Sequence, residues 1–277
     1  MSRYSILIDV NKCNGCFNCF LSCRDEFYGN DYLPYSAAQP LNDQFWMQVQ
    51  EVERGVYPKP KVSYIPKPCM HCESAPCIAA SKDGAVYRRD DGIVIIDPVK
   101  CTGCKLCVDS CPHNSIYFNE QINIAQKCTG CSHLLDNDEE WTVPRCVDQC
   151  PTEALKFGEE EDFADFIKDA ELLNPEAGTK GRVYYKGLPK KFVAGTLYDP
   201  SEKEVIIGAT CTIVDEESGE KFTETTSNFG DFWFKELKDD RSYSLTFEKD
   251  GVTLTMEGII TDIDRGLGDI AMDMSAK

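Results

Sequence analysis

The sequence predicts an α+β chain of two unlike parts, a tandem cluster-binding domain and an all-β domain. Three observations carry that prediction. Fifteen of the 16 cysteines fall between Cys13 and Cys150, and only Cys211 lies elsewhere. Within that span the cysteines form four repeated motifs. From about residue 182 the cysteine chemistry stops, and short alternating strands separated by Gly or Asp turns take over.

The motif that organises the chain is C-T-G-C-K-L-C-V-D-S-C-P, Cys101 to Pro112. Three cysteines at two-residue spacers, a fourth three residues on and then proline form the bacterial-ferredoxin run. Such a loop folds round one corner of a cubane and presents three thiolates to three irons. The fourth cysteine lies one helical turn further on, points away and ligates a neighbouring cluster. Gly103 allows the positive φ needed where the backbone approaches the sulfides. Pro112 starts the next segment without an N–H. Zinc and disulfides are the competing explanations. Zinc sites pair their cysteines and need no third one in the first loop. Disulfide frameworks belong to short exported chains, and 277 residues can bury a core without them.

The remaining motifs are variations on this one. Cys13, Cys16, Cys19 and Cys23 repeat its spacing, with Gly15 in the place of Gly103 and Arg24 in the place of the proline. Cys69, Cys72 and Cys77 are spaced two and four, and Ser81 stands where a fourth cysteine belongs. Cys128, Cys131, Cys146 and Cys150 make the last motif, with Gly130 inside the first pair. Its internal loop carries the acidic run Asp136 to Glu140, expected to be a solvated tip. Together the four read as two ferredoxin-like pairs produced by duplication.

The segments between motifs set the domain plan. Residues 4–10 read as a strand leading into the first loop, and 84–98 and 116–124 as hairpins flanking the central motif. Residues 24–68 hold no cysteine and are rich in Tyr, Pro and Asn; they are an insertion that either packs over the cluster core or offers a docking surface. The plan is a cluster domain over 1–158, a helix and acidic linker over 159–181, and seven strands of a sandwich or barrel over 182–277. The linker helix is expected from the spacing of Phe163, Phe166, Ile167 and Leu172. Cys211, in a strand, reads as a small buried hydrophobe.

Charge and hydropathy exclude several functions. A net charge of −18 makes nucleic acid a poor partner. Each [4Fe–4S]²⁺ core with four thiolates is about −2 overall, so three would bring the total to about −24. No N-terminal signal is legible, and runs such as Ile93–Ile96 are too short to span a bilayer. The expectation is a chain that is soluble by itself and cytoplasmic, with export alongside a signalled partner left open. No Ser–His–Asp set, carboxylate dyad or phosphate loop stands out, so no substrate-transforming site is expected in this chain. His71, His113 and His133 lie beside cysteines and are expected to pack or to hydrogen-bond sulfur rather than ligate iron. Lys12, Lys100 and Lys127 each precede a loop and are expected at the surface.

Across residues 4–158 the sequence resembles the four-motif iron–sulfur subunits of the dimethyl sulfoxide reductase superfamily of molybdenum enzymes. The stretches I-D-V-N-K-C-N-G-C, K-P-C-M-H-C and D-P-V-K-C-T-G-C-K-L-C carry the likeness, together with the last motif. The tail resembles a transthyretin- or carboxypeptidase-regulatory-like module through A-G-T-L-Y-D and N-F-G-D-F-W-F. Ser81, the C-R-D-E-F…G-N-D-Y…P-Y insertion and the tail look most like the transhydroxylase members, which move a hydroxyl between phenols with no net electron transfer. The resemblance implies a heterodimer whose large chain carries a molybdenum bis(pterin guanine dinucleotide) cofactor and the active site. It implies that Cys13, Cys16 and Cys19 share a cluster with Cys150; Cys128, Cys131 and Cys146 with Cys23; and Cys69, Cys72 and Cys77 with Cys111. Cys101, Cys104 and Cys107 would then depend on Ser81, whose hydroxyl is a poorer ligand than thiolate. That defective fourth site is empty, three-iron or serine-ligated. It is expected in the interior of the file of clusters, where it would break the wire. An electron-transfer subunit of a respiratory reductase and a free-standing polyferredoxin remain open, and the β domain is expected to be a structural prop.

Overall fold

The computed structural model describes residues 3–137 and 141–275. They form two units, Met1–Val52 with Ser63–Leu188, and Glu53–Val62 with Pro189–Lys277.

In the first unit, the apolar run of β1 (Tyr4–Asp9) is buried at Ile6, Leu7 and Ile8 and leads straight into the first cysteine loop. The loop turns into α1 (Asn18–Phe27), which carries Cys19 and Cys23 one turn apart on its buried side. The 24–68 insertion therefore begins inside a helix. It continues through an irregular stretch in which Trp46 packs on Phe27 at 4.6 Å, and ends in a hairpin of β2 (Gln48–Arg54) and β3 (Lys61–Lys67). The tip of this hairpin belongs to the second unit.

A short α2 (Pro76–Ala80) carries Cys77, and the hairpin of β4 (Val86–Arg88) and β5 (Val94–Ile96) follows. The third loop opens α3 (Leu106–Asp109), and β6 (Ile116–Asn119) pairs with β7 (Ile124–Lys127). The last motif lies around α4 (Ser132–Asn137) and α5 (Arg145–Asp148), before β8 (Leu155–Glu159). Residues 138–140 of the acidic run lie outside the described residues. Asp136 is exposed, as expected, and is also ion-paired: both its oxygens take Arg89 N–H groups at 2.7 Å, and it accepts from the Tyr35 hydroxyl.

Two boundaries differ from the sequence reading. The helix expected from Phe163 onward closes after one turn, as α6 (Ala164–Lys168). Beyond it Glu171 exchanges backbone hydrogen bonds with Tyr185 at 2.8 and 2.9 Å, which extended chain can make and helix cannot. The strand V-Y-Y, assigned to the β domain, is β9 (Val183–Lys186), and it pairs in parallel with β1 inside the first unit. The order β8-β1-β9 makes one three-stranded sheet, so the first unit runs to Leu188 rather than 158.

The second unit has eight strands among its described residues. They are β10 (Lys191–Asp199), β11 (Glu204–Val205), β12 (Thr210–Asp215), β13 (Lys221–Thr225), β14 (Asp231–Leu237), β15 (Ser242–Lys249), β16 (Val252–Ile260) and β17 (Arg265–Ala271). The sequence predicts seven strands over 182–277, β9 among them; β11 and β12 are separated by a turn at Gly208, and the glycines and charges of β17 hide its alternation. One sheet is β11-β10-β14 with β17 added parallel to β10; the other is β13-β12-β15-β16. Their inward positions alternate along each strand and interdigitate: Val193, Leu197, Phe232 and Phe234 meet Cys211, Ile213, Leu245 and Phe247 in one core. Cys211 is fully buried there, as a small hydrophobe.

The four cysteine loops share one backbone device. Gly15, Gly103 and Gly130 occupy the same place in their motifs and take φ of +70°, +76° and +62°. In the second loop His71 holds that place, with φ +43°. At Gly15 a Cβ would lie 2.6 Å from the Tyr64 ring, so the site excludes side chains on two counts. Gly15→Ala is expected to cost about 1–3 kcal/mol and to lower iron retention by the anaerobically purified protein. In the second unit Phe247 meets Phe232 across the sheets with ring centroids 5.1 Å apart. Phe247→Ala is expected to cost about 3–5 kcal/mol in chemical denaturation followed by tryptophan fluorescence.

Candidate metal centre

None of the 16 cysteines is paired in a disulfide. Their mutual influence sorts fifteen of them into four sets. The Cys19 thiol is raised to about 12, first by burial and then by Cys13, Cys150 and Cys16. Burial likewise holds Cys146 well above the ordinary thiol range, with Cys131, Cys23 and Cys128 adding to it. Cys77 rises to about 11 through burial, opposed by Lys127 and reinforced by Cys69, Cys111 and Cys72. Cys107 rises to about 12 through burial, then through Cys101 and Cys104. The structure thus brings together Cys13, Cys16, Cys19 and Cys150; Cys23, Cys128, Cys131 and Cys146; Cys69, Cys72, Cys77 and Cys111; and the trio Cys101, Cys104 and Cys107.

The sets also reveal their order. Cys19 acts on both Cys23 and Cys146, which joins the first set to the second. Cys69 acts on Cys128, joining the second to the third, and Cys77 acts on Cys107, joining the third to the trio. Packing agrees: Cys19, Cys23, Cys72, Cys131 and Cys146 share one apolar core, while Cys77 and Cys107 share another with Val94 and Ile116. The exposed thiols are Cys16, at one end, and Cys104, at the other. The incomplete trio packs with Cys77 and Cys111, beside the third set rather than between the first two.

Position 81 is committed elsewhere. The Ser81 hydroxyl donates to Asp83 Oδ1 at 2.7 Å and accepts the Val86 N–H at 3.2 Å. Asp83 Oδ2 in turn accepts the N–H and the hydroxyl of Thr102, both at 2.9 Å, which pins the loop that begins at Cys101. These bonds hold the Asp83 carboxyl below the usual carboxylate range. Sequence reasoning missed Asp83. Its signal was the Asx turn it makes to the Ala85 N–H, two residues on.

The donor set fits clusters rather than single ions. Among the described residues no three His, Cys, Asp or Glu side chains converge on one ion. In a cubane each thiolate binds a different iron, so four ligands stand apart around a shared body of iron and sulfide. Cys69, Cys72, Cys77 and Cys111 line one common cavity with Val94 and Ile116. Buried thiols that raise one another's proton affinity become stable thiolates only when a cationic core displaces the protons. Backbone N–H groups already point at several sulfurs: Ser115 to Cys111 at 3.5 Å, Ala125 to Cys101 and Gly130 to Cys128 at 3.4 Å. Such bonds favour charge on sulfur and tune cluster potential.

The three histidines are all buried. His113 Nε2 lies 2.9 Å from Thr179 Oγ1, and His133 Nε2 lies 2.9 Å from Glu26 Oε1. Lys12 and Lys100 are exposed as expected, but Lys127 is only 2% exposed. Its ammonium donates to the Cys128 carbonyl at 2.8 Å and to the Val94 carbonyl, in the field of Cys77 and Cys128. Among the described residues no helix is long and apolar enough to cross a membrane.

Comparison with known proteins agrees with this reading of the cysteines. A model of the 4Fe-4S dicluster domain matches residues 60–160. The chain is 40% identical to the pyrogallol hydroxytransferase small subunit of Pelobacter acidigallici, over 98% of this chain and 100% of that one. It is 34% identical to one subunit of the tetrathionate reductase of Salmonella typhimurium, over 69% of this chain and 75% of that one. It is 37% identical to the beta subunit of the dimethylsulfide dehydrogenase of Rhodovulum sulfidophilum, over 48% of this chain and 42% of that one. With its thiols gathered into sets shaped for cubanes and a relative alike from end to end, the chain belongs to the family of iron–sulfur small subunits of dimethyl sulfoxide reductase superfamily molybdenum enzymes, in which catalysis resides in the large subunit.

Proposed function

We propose that this chain is the iron–sulfur subunit of a heterodimeric pyrogallol hydroxytransferase, which converts pyrogallol to phloroglucinol. The observation that carries the reading is the likeness to the Pelobacter acidigallici small subunit, which extends through the second unit as well as the cysteine motifs. The substrate-transforming chemistry belongs to a molybdenum bis(pterin guanine dinucleotide) cofactor in a large partner chain. Here three sets of four cysteines each hold a [4Fe–4S] cluster, and Cys101, Cys104 and Cys107 form a defective fourth site.

The geometry of Ser81 supports the transhydroxylase reading over the respiratory one. A respiratory subunit must pass electrons on to an acceptor. In this chain three complete thiol sets run without a gap from exposed Cys16 to Cys111, and the set beyond them lacks its fourth thiolate. A file closed at its far end suits a reaction that transfers a hydroxyl between phenols with no net electron flow. The partner then abuts the Cys16 end. Fifteen clustered cysteines outside any disulfide suit a reducing compartment, which favours the cytoplasm. The two facing four-stranded sheets support a transthyretin-like module serving as a prop.

Anaerobic purification of the complex should give roughly 12 irons per copy of this chain, from three four-iron clusters, and conversion of pyrogallol by the large chain. Inert trihydroxybenzenes together with a co-purifying membrane anchor would favour the respiratory reading instead. Ser81→Cys supplies the missing thiolate and is expected to raise iron content by about four atoms, with a new signal in electron paramagnetic resonance.

A further inference from the structure

The second cysteine loop breaks the pattern of the other three. Where they carry glycine it carries His71, held at φ +43°. A side chain kept in the left-handed region beside a functional site is a reason to ask what that side chain does. Its ring is 5% exposed and lines the space enclosed by Cys69, Cys72, Cys77 and Cys111. Nδ1 accepts the Val94 N–H at 3.1 Å, so the proton of the neutral ring resides on Nε2. Nε2 is buried and has no partner within the protein. At Nε2 the other two histidines differ, since each lies there against a side-chain oxygen; His133 leaves its Nδ1 without a partner instead.

We infer that the His71 Nε2–H donates a hydrogen bond to a sulfur of the cluster held by Cys69, Cys72, Cys77 and Cys111, making His71 the positioning residue that sets that cluster's potential. The inference rests on the ligand reading proposed above. Val94 ties the donor in place from both sides: its N–H orients the imidazole, and its carbonyl takes the buried Lys127 ammonium. A hydrogen bond to sulfur stabilises the more negative, reduced cluster, so His71 raises the reduction potential of this member of the file.

His71→Gly is the natural test, because it installs the residue the other three loops use at this place and relieves the positive φ. In the purified complex, redox titration followed by electron paramagnetic resonance should show one cluster shifted to lower potential, with iron content unchanged. His71→Gln, whose amide can reach the Nε2 position, should recover part of the shift. In the unmodified complex, pulsed resonance on protein with isotopically labelled histidine nitrogen should show a weak coupling to one reduced cluster, lost in His71→Gly and kept in His113→Asn. An unchanged potential at full iron content, or no such coupling in the unmodified complex, overturns the inference. If Cys77→Ser leaves iron content and spectrum unaltered, the ligand set itself is wrong, and the inference falls with it.

Discussion

One electrostatic constraint governs this protein: many thiols sit close together where water is scarce. Burial penalises the thiolate, and each neighbouring thiolate penalises it again. Cys23, Cys131 and Cys146 are buried with other thiols close around them, an arrangement no apolar core would select. A cationic iron–sulfide body resolves it by replacing the protons, and the first unit is built as a shell around such bodies. Its helices are short and its hairpins small, because their task is to deliver sulfur atoms rather than to bury area.

The same constraint explains the polar groups found among the sulfurs. Backbone N–H groups reach Cys101, Cys111 and Cys128, and the Lys127 ammonium lies between two sets with carbonyls as its hydrogen-bond partners. A buried cation bonded to carbonyls is costly in isolation. Next to two sets of thiolates it is favourable. Each such group lowers the free energy of negative charge on sulfur, and clusters of one chemical type can in this way differ in potential along the file.

The end of the file shows how one substitution is absorbed. Ser81 does not stand idle where a cysteine would be. Its hydroxyl joins Asp83, and through Asp83 the loop at Thr102, so the trio's loop is held by hydrogen bonds on the side where a fourth ligand is absent. The loop keeps its shape, including the positive φ at Gly103. The loop of Cys101, Cys104 and Cys107 is thereby held without a thiol at position 81.

The chemistry was legible in the residues alone, because ligand spacing is a local property. Cysteines two residues apart with glycine between them dictate which loops can wrap a cubane, and this remains true wherever the loops are placed. The alternation that makes the second unit a β structure is equally local. Folding in three dimensions settled everything that turns on distance between remote segments. That Cys19 shares one core with Cys146, and Cys77 another with Cys107, is of this kind. β9 looks like its β-rich sequel but joins β1, since a strand's partner depends on which edge is open. Lys127 reads as a surface residue and is buried, and His71 reads as one histidine of three yet is the one whose Nε2 has no partner. Those facts arise from packing between chain segments far apart in sequence, where side-chain type and spacing carry no signal.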